Sequence, residues 1–353
     1  MYRGSIYAQK SIIPFSLIYS MKASSQQISN RTLFIHDNLP VLLGMNSETV
    51  DLMYLDPPFN SNRMHYAAAG SRAAGGVFND SWTLSRVASE WIAGIENEHP
   101  SLAAVLRLAG SIGTERQASA TQAYLQFMAI RLLEMHRILK PTGSIYLHCD
   151  TTMSHYLKIV MDYIFGKAHF LNEIVWFYTN AGGRSKRRFS KKHDIILLYS
   201  KTSTYFFDTD GARIPYEQGS STHSLLERGG HIPFKKGSKV YKYVPNKKGK
   251  VAEDVWRIQI LNQMSKERTG YPTQKPLALL ERIIKASSKE GDVVLDPFCG
   301  CATTLIASER LSRQWIGIDV SEKAVDLATA RMEQECDTRK ELIVRTDVPV
   351  RTS

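Results

Sequence analysis

Cysteine is scarce in this chain of 353 residues: there are four, Cys149, Cys299, Cys301 and Cys336. None forms a C-x-x-C pair, and no His/Cys cluster has zinc spacing. A disulfide framework is therefore excluded, no metal is expected, and free thiols point to a reducing, cytoplasmic setting. Apolar runs are short, and none is long enough to span a bilayer. Ser11–Tyr19 leans apolar after Arg3 and Lys10, but Pro14 interrupts it and no small-residue cleavage site follows, so it does not read as a secretory leader. Also missing are the G-x-G-x-x-G fingerprint after a strand and the G-K-[ST] of a phosphate loop, which argues against a dinucleotide or nucleoside triphosphate. Acidic residues are outnumbered, 34 Asp and Glu against 45 Lys and Arg, giving a net charge of +11. An excess of that size suits a polyanionic partner.

What is present is a rhythm of buried strands and amphipathic helices. Short β-branched runs at Thr32–His36, Val50–Leu55, Ser144–His148, Val293–Leu295 and Trp315–Ile318 read as strands of a parallel sheet. Helical spacing covers Tyr124–Leu139, Ser154–Phe165, Leu277–Ser287, Thr303–Leu311 and Glu322–Glu333, the first stopping before Lys140-Pro141-Thr142-Gly143. The expected fold is α/β, a doubly wound sheet. Along the chain we expect an extension over 1–28, a first part of the main domain over 29–179 with an insertion at 64–121, a polar, basic module over 180–263, a second part of the main domain over 264–336, and a charged, poorly ordered tail over 337–353. His193–Ser200 reads as one more strand inside the basic module.

Four segments carry chemistry. Asp56-Pro57-Pro58-Phe59-Asn60 follows the strand Val50–Leu55, and ligands of open α/β sheets bind beyond the carboxyl ends of strands. Proline fixes φ, restricts the residue before it and offers a carbonyl without an N–H. The Asp56 carboxylate and the Pro57 carbonyl are thus two acceptors aimed at one place, a match for the two donors of an NH2 group, with Phe59 as a stacking face. Asp296-Pro297-Phe298-Cys299-Gly300-Cys301-Ala302-Thr303-Thr304 takes a buried strand through a glycine turn to a helix start, the geometry of a nucleotide-type cofactor site. Asp296 there would repel a pyrophosphate and suits a cation. Asp319, closing the next strand, can accept ribose hydroxyls. Tyr271-Pro272-Thr273-Gln274-Lys275-Pro276 precedes a helix and could bind a carboxylate. Outside these lie basic runs with interleaved aromatics: Arg184, Lys186, Arg187, Arg188, Lys191 and Lys192, then Lys235, Lys236, Lys239 and Lys242. Phosphate contact is the reading for both.

Taken in order, D-P-P-F, then a basic segment, then D-P-F-C-G-C-A-T-T, with T-Q-K-P at 273–276 and Asn172-Glu173-Ile-Val-Trp176 between, these residues resemble the β class of amino-group DNA methyltransferases, over roughly Arg31 to Met332. The resemblance implies a Rossmann-like mixed sheet of the S-adenosylmethionine-dependent type with circularly permuted motifs, and 180–263 as target-recognition module. It implies that Asp56, Pro57, Pro58 and Phe59 hold a flipped base, that Asn60 and the basic runs meet double-stranded DNA, and that Asp37, Asn38, Asp56, Gln274, Lys275, Asp296, Pro297, Phe298, Cys299, Gly300, Cys301, Thr303, Thr304 and Asp319 surround S-adenosylmethionine. The acceptor it favours is adenine N6, with cytosine N4 as the alternative and a non-catalytic DNA-binding subunit further off. A cognate restriction endonuclease and a homodimer stay open. One departure lies at Cys301 and Ala302, where the family usually carries its second glycine.

Overall fold

The structure, a computed structural model, describes residues 23–24, 28–67, 69–75, 77–83, 89–179, 186–236, 239–336 and 341–352. Aliphatic runs buried on both faces call for a sheet covered on both sides. Nine strands form it: β1 Thr32–Ile35, β2 Val50–Leu55, β3 Leu139–Cys149, β4 Phe170–Phe177, β5 His193–Ser200, β6 Val255–Arg257, β7 Val293–Asp296, β8 Gln314–Asp319 and β9 Ile343–Arg345. Their spatial order is β6-β4-β5-β3-β2-β7-β8-β1-β9. All run parallel except β5, which is antiparallel to both β3 and β4.

Alternate residues of each strand feed two separate cores. Phe34, Met53, Leu55, Ile145 and Leu147 face one side, where they pack with helices α1 (Asn38–Gly44), α2 (Glu115–Ile138) and α3 (Ser154–Phe165). Leu33, Leu52, Tyr54, Tyr146 and Val294 face the other, packing with α4 (Leu277–Ser287), α5 (Thr303–Arg310) and α6 (Glu322–Cys336). The period of two along a strand dictates this division. It makes the sheet doubly wound. The chain leaving β2 travels to α2 on one face; the chain leaving the neighbouring β7 turns to α5 on the opposite face. The two diverge at their carboxyl ends, which opens a crevice at a topological switch point.

The expected strands and helices are present, most with ends displaced by a few residues. Val50–Leu55 and His193–Ser200 fall where the sequence puts them. Several boundaries need correction. The stop signal Lys140–Gly143 ends α2 but lies inside β3, which starts at Leu139 because the chain re-enters the sheet at once, with a register shift opposite Val50–Leu52. Helix α2 begins at Glu115, not Tyr124: the Gln117 side chain accepts from the Thr114 N–H at 3.2 Å, and a polar first turn carries no apolar period. The 180–263 segment is not a module apart from the sheet, since it contributes β5 and β6. The 64–121 segment joins the α2 side of the molecule, where Ile95, Leu102 and Leu106 are buried. In the tail, β9 pairs in parallel with β1, and Val348–Pro349 pairs with Ala23–Ser24 of the N-terminal extension.

Candidate active site

At the end of β7 the chain turns within itself. Asp296 Oδ1 accepts from the Phe298 N–H at 3.0 Å. Gly300 takes φ +49° and donates its N–H to Asp319 Oδ2 at 2.9 Å; Asp319 Oδ1 accepts from Ser321 at 2.9 Å. A Cβ on Gly300 would come within 3.1 Å of the Tyr271 ring, so the glycine also permits a close approach. Ala302, capping α5, has φ +66°. The strained position of the G-C-A-T-T departure is therefore Ala302, and the left-handed backbone explains why a glycine is at home there. Burial pushes the Asp296 carboxyl up to about 7, although the Thr304 and Phe298 hydrogen bonds pull against it; the carboxylates of Asp56 and Asp319 push further up. Burial likewise raises Asp319. Two carboxylates held against their ordinary ionisation form a place for a cation.

At the end of β1, Asp37 caps α1, accepting from Leu39 N–H at 2.8 Å. Asn38 donates to the Pro297 carbonyl at 2.7 Å, tying this loop to the β7 turn. Both are held by Arg131 of α2, which is buried. Its guanidinium donates to both Asp37 oxygens at 2.8 and 3.0 Å and to Asn38 Oδ1 at 2.6 Å. Burial lowers the Arg131 pKa to about 10, with Asp37 opposing, so it remains a cation at neutral pH.

The loop after β2 is held from a distance. Asp80, 1% exposed, accepts from three successive backbone N–H groups: Phe59 at 3.2 Å, Asn60 at 2.8 Å and Ser61 at 2.8 Å. Trp82 Nε1 also donates to it at 3.3 Å. Asn60 adopts φ +58°, which asparagine tolerates better than most residues, and its side-chain amide faces Met153 Sδ at 3.8 Å. Asp56 Oδ2 pairs with Lys275 Nζ. Asp56 Oδ1 is buried and has no hydrogen-bond partner among the described residues. It lies 3.4 Å from Nδ1 of His148, a contact outside hydrogen-bonding geometry. The Phe59 ring sits 5.3 Å from the His148 ring and has the Lys275 ammonium 5.6 Å from its centre.

Two cavities meet here. The larger, about 470 Å³, is lined by Asp37, Asn38, Asp56, Pro57, Pro58, Phe59, Gln274, Lys275, Asp296 through Cys301, Thr303, Thr304 and Asp319, so every residue expected around the cofactor or the base touches it. Tyr271 of the 271–276 segment also lines it, as do Asp80, Trp82 and Arg131, which sequence reasoning missed. Its carboxylates, Asp37, Asp56, Asp80, Asp296 and Asp319, outnumber its permanent cations, Arg131 and Lys275. The smaller cavity, about 270 Å³, shares Phe59, Tyr271, Gln274 and Lys275 and adds Trp176, Tyr178, Asp194 and Arg268. Gln274 works mainly inside its own loop, accepting from Thr269 at 2.8 Å and donating to Glu267 at 2.8 Å. Lys186, Arg187, Arg188 and Lys191 are exposed, while Lys192 donates to the Thr179 carbonyl at 2.9 Å. Lys239 and Lys242 are exposed on a hairpin whose other strand, Ile232–Lys236, includes Lys235 and the exposed Lys236. Arg184 lies outside the described residues.

Residues 50–330 match the DNA methylase family of N6/N4 type. The chain belongs to this family. It is 34% identical over 213 residues to the type II methyltransferase M.HpaI of Haemophilus parainfluenzae, covering 60% of each chain. It is 30% identical over 203 residues to the DNA adenine methyltransferase YhdJ of Escherichia coli (strain K12), covering 57% of this chain and 64% of that one. It is 28% identical over 318 residues to the type II methyltransferase M2.DpnII of Streptococcus pneumoniae, covering 88% and 92%. The match spans about 60% of the length of the first of these relatives. Among the described residues no helix of this methylase-family chain is long and apolar enough to cross a membrane.

Proposed function

We propose that this protein transfers a methyl group from S-adenosylmethionine to the N6 amino group of adenine in double-stranded DNA. The observation that carries the reading is Asp56: one carboxylate oxygen is neutralised by Lys275, and the other is buried without a hydrogen-bond partner at a wall of the larger cavity. A buried acceptor left open is costly unless a ligand completes it. An exocyclic NH2 completes it, with the Pro57 carbonyl as the second acceptor.

The larger cavity fits the cofactor in size and charge. Its volume falls in the range of small-molecule sites, and its carboxylate excess suits a cationic sulfur. Asp319 would take the ribose hydroxyls and the Asp37–Asn38 corner the adenine. When bound, S-adenosylmethionine supplies an electrophilic methyl group. The smaller cavity, walled by Phe59, Trp176 and Tyr178, offers flat faces for the rotated-out base. Hydrogen bonds from the amino group to Asp56 and Pro57 concentrate its lone pair, a contribution of about 1.5–3 kcal/mol where the acceptor is charged. Holding nitrogen and methyl in line supplies more, on the order of 7–11 kcal/mol. The exposed lysines of 186–192 and 236–242 would meet phosphates.

The test is mass spectrometry of nucleosides from unmodified DNA incubated with protein and S-adenosylmethionine. N6-methyladenine is expected, and none with Asp56→Ala. N4-methylcytosine would keep the mechanism and change the acceptor, since both amines present the same donors. Intact DNA binding without cofactor binding would instead support the non-catalytic reading.

A further inference from the structure

The transfer leaves one problem unsolved. Forming the N–C bond and breaking the S–C bond, with its electron pair staying on sulfur, moves the positive charge from sulfur to the amine nitrogen. One N–H proton must then leave the site. Asp56 is the first acceptor, but it is also the group needed for the next turnover.

Behind Asp56 stands a buried group with no role so far. His148, near the end of β3, is 0% exposed. Its Nδ1 lies 3.4 Å from Asp56 Oδ1 and 3.0 Å from the Tyr54 hydroxyl. Its Nε2 is buried without a hydrogen-bond partner among the described residues and lies 3.4 Å from Asp194 Oδ2. The rest of its surroundings are rings: Phe59 on one side and Trp176 of β4, edge-on, at 5.4 Å. Asp194, on β5, accepts from Tyr178 Oη at 3.2 Å and lines the smaller cavity, with 22% of its side chain exposed. Burial pushes the Asp194 carboxyl up, but His148, Lys275 and the Tyr178 hydroxyl outweigh it, and the net effect holds it low, as a carboxylate.

We infer that His148 and Asp194 form a proton relay that returns Asp56 to its ionised state after each methyl transfer. The inference rests on the proposed function above. In the resting state the His148 proton sits on Nε2, facing Asp194, and Nδ1 is a base that accepts from the Tyr54 hydroxyl. Asp56 takes the proton from the methylated amine and passes it to Nδ1 as that hydroxyl turns away. The imidazolium that forms lies between two carboxylates, with Lys275 held on the far oxygen of Asp56, so the positive charge never crosses an apolar region. When the methylated base leaves, Nδ1 returns the proton through Asp56 to water entering the vacated cavity, so the ring regains its starting tautomer, and Asp194 stabilises the imidazolium in between. Two buried edges of one imidazole, each facing a carboxylate oxygen at the same distance, suit a ring that must carry charge in one step and be neutral in the next. His148 touches neither base nor cofactor in this scheme; it acts through Asp56.

The test is single-turnover methylation of duplex DNA between pH 6 and 9 by His148→Gln and Asp194→Asn, with cofactor binding measured in parallel. Each variant should bind S-adenosylmethionine normally and react about 10²-fold more slowly, the lower end of what a positioned acid–base group contributes. The wild-type rate should be independent of added buffer base. His148→Gln should become dependent on buffer base, which a packing defect would not produce. Should His148→Gln fail to bind cofactor, Asp194→Asn decides alone, by its rate. Wild-type rates without buffer dependence in a cofactor-binding variant would overturn the relay. A wild type that methylates no DNA would overturn the function itself, a separate failure.

Discussion

The two carboxylates at the centre of the site, Asp296 and Asp56, are held in opposite ways. Asp296 ends β7 in a turn that its own carboxylate helps to close: it accepts from Phe298 two residues on, and Gly300 is tied to Asp319 of the adjacent strand, with Asn38 as the distant tie. Asp56 ends β2 in a loop whose supports come from elsewhere. Asp80 reaches back 19 to 21 residues to three N–H groups, and Lys275 arrives from 219 residues away. A locally closed turn binds whatever fits it at all times. A loop held from distant elements is correct only when those elements are docked, so its geometry reports on the assembled fold.

The contrast is broken most sharply at Asp80. Its carboxylate fixes the direction of the Asp56–Ser61 loop and does not belong to the turn after β7. Asp80→Ala should lower the methylation rate by about 10²-fold, the penalty that a displacement near 1 Å brings. Its effect on S-adenosylmethionine affinity should be small. Asp80→Asn keeps one acceptor oxygen and should fall between. Stopped turnover and calorimetric binding on the same samples separate the two effects; equal losses in both would mean that loop and turn are one unit.

The same contrast governs what the sequence discloses. The turn after β7 is written in consecutive letters, and all of Asp296–Thr304 except Ala302 lines the cavity. Asp56 and Phe59 are legible for the same reason. Their supports are not. Asp80 sits in a segment rich in alanine and glycine with no periodicity to flag it, and its partners are backbone N–H groups that leave no trace in a sequence. Arg131 and His148 did leave a signal. One is a charge on the buried stripe of a helix and the other an imidazole in an apolar strand, and a buried polar group needs a partner. The fold divides likewise. The long aliphatic strands were evident, whereas β6 and β9, three residues each with much of their surface exposed, carry too little pattern to be found.

A second test acts on the turn. Because burial lifts the Asp296 carboxyl to about 7, much of it is protonated at neutral pH, and a cationic ligand favours the ionised form. Affinity for S-adenosylmethionine should therefore tighten as pH rises from 6 to 8 and level off above. One pH unit below the pKa, the loss approaches about 10-fold if only the carboxylate binds. Folding has its own pH dependence here: a carboxyl with a raised folded pKa destabilises the native state progressively as pH rises from its ordinary value to about 7. The ligand-free protein should then melt lower at pH 7 than at pH 5.5 as far as Asp296 governs it. Asp296→Asn should flatten both trends. An affinity that is level across pH 6–8 in the wild type would remove Asp296 from the cation's surroundings.

The smallest effect is expected at Ala302, the residue with φ +66° at the cap of α5. A left-handed backbone costs a residue with a Cβ about 1–2 kcal/mol, which glycine avoids. Ala302 is also fully buried, so removing its methyl group gives back about 0.8 kcal/mol of apolar burial. The difference favours Ala302→Gly by up to about 1 kcal/mol. That is a melting-temperature rise of a few degrees at most, read by calorimetry, with methylation unchanged. Ala302 and Asp80 share no hydrogen-bond partner, so the gain should survive intact in an Asp80→Ala background, because additivity holds between such sites. A gain that disappears in the double variant would show that the two carboxylates, for all the difference in how they are held, answer to the same strain.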